Sequence, residues 1–138
     1  MAVHSRTGGI AGTEPVGRIL VIAEEFDVAD AVTEYFADLD YEAHGTVDGG
    51  DALAIVHRSA ADLVLLDVPT ARLRDLFRQL RAACDVPIIV ATEDSNAAAE
   101  LRPLGAFACV RKPFDWDDLR RRVAIVIYSA LRSPGRRA

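Results

Sequence analysis

Asp62-Leu63-Val64-Leu65-Leu66-Asp67 is the stretch that decides the fold. Four consecutive apolar residues stand between two carboxylates. The run is too short for a helix and has no polar alternation, so it suits a strand buried on both faces, as in a parallel sheet covered by helices. Similar runs lie upstream at Ile19–Ile22 and downstream at Pro87–Ala91 and Phe107–Val110. Tyr41–Val47 is more polar and reads as a strand nearer a sheet edge.

Helical spacing fills the intervals. Val28, Ala31, Val32, Tyr35, Phe36 and Leu39 repeat at i, i+3, i+4 and i+7 behind Asp27, a candidate N-cap. Ala52, Leu53 and Val56 begin a shorter helix, and Leu73, Leu76, Phe77 and Leu80 mark a third. Ala97–Leu104 is Ala-rich and is closed by Pro103 and Gly105. Asp115 precedes a last helix carrying Trp116, Leu119, Val123, Val126, Ile127 and Ala130. The alternation predicts an α/β domain, a five-stranded parallel sheet with helices on both faces and right-handed crossovers. Residues 1–17 are rich in Gly, Ser, Thr and Pro and read as a flexible tail, 18–131 as the domain, and 132–138 as a short basic tail.

A chain of 138 residues, 51% hydrophobic and 27% charged, is long enough to build a core without metal or disulfide support. It has no apolar run of membrane-spanning length and no apolar segment near its start that would serve as a secretory signal. Cys84 and Cys109 share no close motif, which fits reduced thiols and a cytoplasmic location. The net charge of −5 argues against nucleic-acid binding. The charge is divided: residues 1–70 hold 13 acids against 3 arginines, residues 71–138 hold 8 acids against 13 bases. Lys112 is the single lysine among 16 basic residues.

Ligands of open α/β sheets bind beyond the carboxyl ends of the strands. There the sequence places Glu24 and Glu25, then Asp67, then Thr92, then Lys112. Singly, each is an ordinary solvated boundary residue. Together they suit phosphoryl transfer to a carboxylate, with Asp67 as nucleophile, Glu24 and Asp67 holding Mg²⁺, and Thr92 and Lys112 meeting the phosphoryl oxygens.

In order and spacing these stretches resemble the receiver domains of two-component response regulators. The resemblance runs from about Arg18 to Leu131 and is carried by Ile19-Leu20-Val21-Ile22, Asp48-Gly49 with Ala52-Leu53, Asp62 to Asp67, Val86-Pro87-Ile88-Ile89 with Thr92, Leu104-Gly105-Ala106 and Lys112-Pro113-Phe114. It implies a flavodoxin-like (βα)5 fold with strand order 2-1-3-4-5, Asp67 at the phospho-acceptor position, Thr92 at the switch hydroxyl, Lys112 at the phosphate-binding lysine and a cis Lys112–Pro113 bond.

Four departures from that pattern matter. The usual pair of adjacent acids is reduced to Ala23 and Glu24. The loop after Asp67 is about two residues short and puts Pro69 where a backbone carbonyl would ligate the metal. Glu93 follows Thr92 in place of a small residue, and Cys109 stands in place of an aromatic switch. A lost metal carboxylate and the added Glu93 both work against phosphoryl binding, since unit charges 4 Å apart interact by about 4 kcal/mol at an effective dielectric of 20. The expectation is a degenerate, non-enzymatic pseudo-receiver acting as an orphan protein-interaction module. The alternative is a regulator phosphorylated on Asp67 by a histidine kinase or a small phosphodonor. An aspartate-nucleophile phosphatase would need a second Asp at the place of Pro69, and a dinucleotide fold would need a Gly-rich loop after Ile22.

The last helix suggests where a partner sits. Ile125, Tyr128 and Leu131 point away from its core stripe, beside Arg121. They form a candidate docking patch with the fifth strand, the usual partner surface of the family, suited to an accessory subunit of a larger multi-subunit enzyme or to a signalling protein. Arg72, Arg74, Arg78 and Arg81 read as a basic stripe on the third helix, either solvated or facing an acidic partner.

Overall fold

The computed structural model describes residues 3–7, 15–47 and 52–132. Its elements in chain order are β1 (Val3–Thr7), β2 (Arg18–Ala23), α1 (Phe26–Ala37), β3 (Glu42–Thr46), α2 (Ala52–Ser59), β4 (Leu63–Asp67), α3 (Thr70–Ala83), β5 (Ile88–Thr92), α4 (Ser95–Leu101), β6 (Ala108–Arg111) and α5 (Trp116–Arg132). The sheet order is β1-β3-β2-β4-β5-β6. The last five strands in that order are mutually parallel, which is the expected 2-1-3-4-5 arrangement.

The period of two inside the apolar runs explains why they tolerate no polar residue. Leu63 and Leu65 of β4 pack with Ile19, Val21 and Ile89 beneath α1 and α5. Val64 and Leu66 pack with Leu20, Ile22, Ile88 and Val90 beneath α2, α3 and α4. Every residue of β4 and β5 is buried, so each face of these strands must be apolar.

Two expectations are corrected. The tail over 1–17 was expected to be unstructured, but Val3–Thr7 forms a strand that pairs antiparallel with β3, from Val3 opposite Thr46 to Thr7 opposite Glu42. The physical reason lies in β3, which ends the parallel sheet and offers a row of unpaired backbone groups that the preceding chain can satisfy. The cap expected at Asp27 is also displaced. The first helix starts at Phe26, Glu25 is its N-cap without a side-chain bond, and Asp27 lies in the first turn. Asp115 does cap α5, its Oδ1 accepting from Asp118 N at 3.1 Å. Asp94 caps α4 by accepting from Asn96 and Ala97 N. The patch side chain of Leu131, residues 133–138 and Asp48-Gly49 lie outside what the structure describes of side chains or backbone.

Candidate functional site

The site forms where the sheet order reverses. β2 has β3 on one side and β4 on the other, so their connecting helices leave a crevice at the carboxyl ends. The register pairs Ala23 with Asp67, and Glu24 N donates to Asp67 O at 3.1 Å. A cleft of about 210 Å³ opens there, walled by Glu24, Glu25, Asp67, Thr92, Glu93 and Lys112, with Pro69 and Thr70 on one lip.

Asp67 is 4% exposed. The Lys112 ammonium donates to its Oδ1 at 2.7 Å. The buried Oδ2 has no hydrogen-bond partner among the described residues. Burial pushes the Asp67 carboxyl above its ordinary range; the Lys112 bond and charge oppose that rise, and Glu25 and Glu93 add to it. Thr92 is buried, and its Oγ1 accepts from Asp94 N at 3.0 Å, which leaves its hydrogen to donate into the cleft. Lys112 reaches the site from beyond β6, where the bond to Pro113 is cis. The three residues expected to handle a phosphoryl group thus converge.

The expected metal set converges less well. Glu24 lines the cleft, but its Oε2 accepts from Arg72 Nη1, and both side chains are 45% exposed. The Pro69 carbonyl accepts from Arg72 N at 2.9 Å and Leu73 N at 3.0 Å. Those two bonds compete with the metal-ligand role expected of this carbonyl. With the loop short, α3 starts at Thr70, and Pro69 becomes the N-cap whose carbonyl carries the first helical bonds. The donors that fit a hard cation are Asp67 Oδ2, which is buried and unpartnered, and a carboxylate of Glu24 or Glu25.

The basic stripe of α3 is largely spent within the molecule. Arg72 pairs with Glu24, Arg74 with Glu100, and Arg81 donates to the carbonyls of Cys84 at 2.9 Å, Val86 at 2.8 Å and Gly105 at 3.4 Å. Sequence reasoning overlooked the contact of Arg72 with the cleft. Its signal was the short loop itself, which draws the first turn of α3 toward β2. Glu25, noted in the sequence without a role of its own, helps raise the Asp67 carboxyl.

On α5, Val123, Val126 and Ile127 are buried. Arg121, Ile125 and Tyr128 lie at i, i+4 and i+7 on the outward face, with Ile125 56% and Tyr128 62% exposed. Among the described residues, Arg121 makes a long contact of 3.8 Å to Asp118.

The sequence profile of the response regulator receiver domain matches residues 19–124. The transcriptional regulatory protein DltR of Streptococcus agalactiae is 33% identical over 113 residues, covering 78% of this chain and 50% of that protein. The sensory transduction protein RegX3 of Mycolicibacterium smegmatis is 34% identical over 113 residues, covering 79% of this chain and 50% of that protein. This chain spans about half the length of these relatives. Among solved structures, the receiver domain of Francisella response regulator 1452 superposes with a TM-score of 0.74 at 22% identity, covering 82% of this chain and 98% of that one, a likeness of fold.

Proposed function

The chain belongs to the response regulator receiver domain family, and from that premise we propose that it works as a receiver-type protein-interaction module, a docked regulatory or accessory subunit of a larger assembly. The observation that carries this reading is the outward face of α5, where Ile125 and Tyr128 stand exposed together beside Arg121. Paired exposed apolar side chains with a guanidinium at the rim have the composition of an interface core and its border. The cleft supports the same view. Glu24 is engaged by Arg72, the Pro69 carbonyl is consumed, and Glu25 and Glu93 crowd Asp67 with negative charge. The first two compete with a metal for its ligands, and the negative charge of Glu25 and Glu93 opposes a dianionic phosphoryl group. On this reading the chain is an orphan, pseudo-receiver-like member without turnover, located in the cytoplasm.

The test is the native size of the chain in lysate of its own organism. A reproducible set of companions far above the monomer size, lost in Ile125→Asp and Tyr128→Asp, is the expected result. Elution as a free monomer or dimer, or companions retained by both variants, would overturn it.

A second reading is favoured by one specific arrangement, the 2.7 Å Lys112–Asp67 contact beside an unpartnered Oδ2. Here Asp67 accepts a phosphoryl group from a histidine kinase or a small acyl phosphate. A carboxylate oxygen of Asp67 forms the new O–P bond while the P–N or P–O bond of the donor breaks and its electron pair leaves with the donor. Lys112 holds Oδ1, and Thr92 donates to a phosphoryl oxygen. A bound Mg²⁺ would supply charge against the phosphoryl oxygens, held by Asp67 and Glu24 or Glu25. Intact-mass measurement with acetyl phosphate and Mg²⁺ decides this. An adduct that disappears in Asp67→Asn supports it, and the absence of an adduct rejects it.

A further inference from the structure

The short loop after β4 brings a cation of the protein's own to the rim of the acidic cleft. Pro69 caps α3, so Arg72 falls in its first turn and donates Nη1 to Glu24 Oε2, 48 residues away in sequence. Glu24 is one of the few donors in the cleft available to a hard cation alongside the unpartnered Asp67 Oδ2. A guanidinium on Oε2 offsets part of the carboxylate's charge and occupies one of its two oxygens, so it competes with a metal for Glu24.

We propose that Arg72 is a tethered competitor for the divalent cation, pairing with Glu24 when the metal is absent and released from it when the metal binds. The inference rests on the cleft being the acidic site of a receiver and is independent of docking through α5. Both side chains of the pair are 45% exposed. An exposed ion pair is weak, so the latch is displaceable and shifts metal affinity modestly rather than closing the site.

The experiment is a calorimetric titration of the full chain with MgCl2, repeated for Arg72→Gln, Arg72→Lys and Glu24→Gln, with folding checked by circular dichroism. Arg72→Gln is expected to tighten Mg²⁺ binding about two- to fivefold, the range an exposed pair supports. Arg72→Lys keeps a cation on the helix and stays near the parent. In a Glu24→Gln background the Arg72→Gln change has no further effect. Arg74→Gln controls for general charge, because Arg74 lies on the same helix and pairs with Glu100 instead. Unchanged or weaker binding in Arg72→Gln overturns the proposal. So does an equal gain in the Glu24→Gln background or in Arg74→Gln, or the absence of Mg²⁺ binding to parent and variant alike. None of these outcomes bears on the companions held through Ile125 and Tyr128, so failure of the latch and failure of docking remain separate results.

Discussion

Lys112→Met keeps the aliphatic stem and removes the ammonium bonded to Asp67. The bond is 2.7 Å long and Asp67 is 4% exposed. Coulomb's law at an effective dielectric of 20 gives about 6 kcal/mol for unit charges at that separation. Lys112 is 33% exposed, so solvent screens the pair and the net loss on breaking it is smaller, about 2–4 kcal/mol at pH 7. The loss carries a pH signature. The folded Asp67 carboxyl already titrates above its ordinary value because it is buried, and Lys112 is the group that opposes the rise. Below the ordinary value both folded and unfolded chains are protonated there, and Asp67 contributes nothing. As pH rises, the unfolded chain ionises first, so stability falls by up to about 1.4 kcal/mol per pH unit until the raised folded value is passed. Without Lys112 that window extends upward. Urea melts of parent and Lys112→Met between acid and neutral pH are therefore expected to converge at the acid end and separate toward neutral. The double variant Lys112→Met/Asp67→Asn is expected to recover most of the loss and to flatten the pH dependence. A deficit of the same size at every pH, or one surviving in the double variant, would mean that Lys112 acts through packing and that Asp67 is not an uncompensated buried charge.

Two further outcomes follow from other contacts. Arg81→Ala removes a guanidinium that ties the end of α3 to the entry of β5 and to the carbonyl of Gly105, and charge-assisted bonds of this kind predict a loss of about 2–4 kcal/mol in urea melts, with Arg81→Lys recovering only part of it; a loss below about 0.5 kcal/mol would show that water replaces the clamp. Glu93→Gln removes a charge that helps raise the Asp67 carboxyl, so carbon-13 titration of that carboxyl is expected to move down toward its ordinary value, and stability between the ordinary and raised values is expected to increase; an unmoved titration would show that Glu93 has no part in the shift.

What the sequence made legible follows the strength of its physical signals. Strands buried on both faces leave uninterrupted apolar runs, so β2, β4 and β5 could be placed to within a residue, and the residues after them located the cleft. The edge strand β1 left no such run. Val-His-Ser-Arg-Thr has neither a clean alternation nor a turn to mark it, and what recruits it is the open edge of β3, a tertiary property. Asp67, Thr92 and Lys112 could be assigned from spacing because the parallel register fixes where each strand ends. The partners of long arginines could not. Arg72, Arg74 and Arg81 share a helical spacing that reads as one solvated stripe, yet Arg72 reaches back to Glu24, Arg74 to Glu100, and Arg81 to three carbonyls. Flexible stems decouple the head group from its position on the helix. The helical bonds of the Pro69 carbonyl were hidden for a related reason, since only Val68 and Pro69 separate β4 from α3 and Pro69 becomes the residue that begins the helix.

A docked accessory subunit and a phosphorylated regulator differ in whether the cleft is coupled to the outward face of α5. Coupling needs an element between them with two arrangements that both sites can bias. The resemblance to receiver domains implies that role for the position of Cys109 on β6. Its thiol donates to Ala98 O at 3.6 Å, and beside it a space of about 140 Å³ is bounded by Thr92, Ser95 and Ala98. Burial holds the thiol above its ordinary titration range, against the pull of Arg102 and Arg122, so it remains neutral and small. A side chain of that size has no bulk to swing into the space when Thr92 moves toward a phosphoryl group. Ile125 and Tyr128 would then be offered to a partner in the same way whether Asp67 is modified or not. That is the behaviour required of a subunit held permanently in an assembly, and it is why the α5 face weighs more than the cleft in the functional reading.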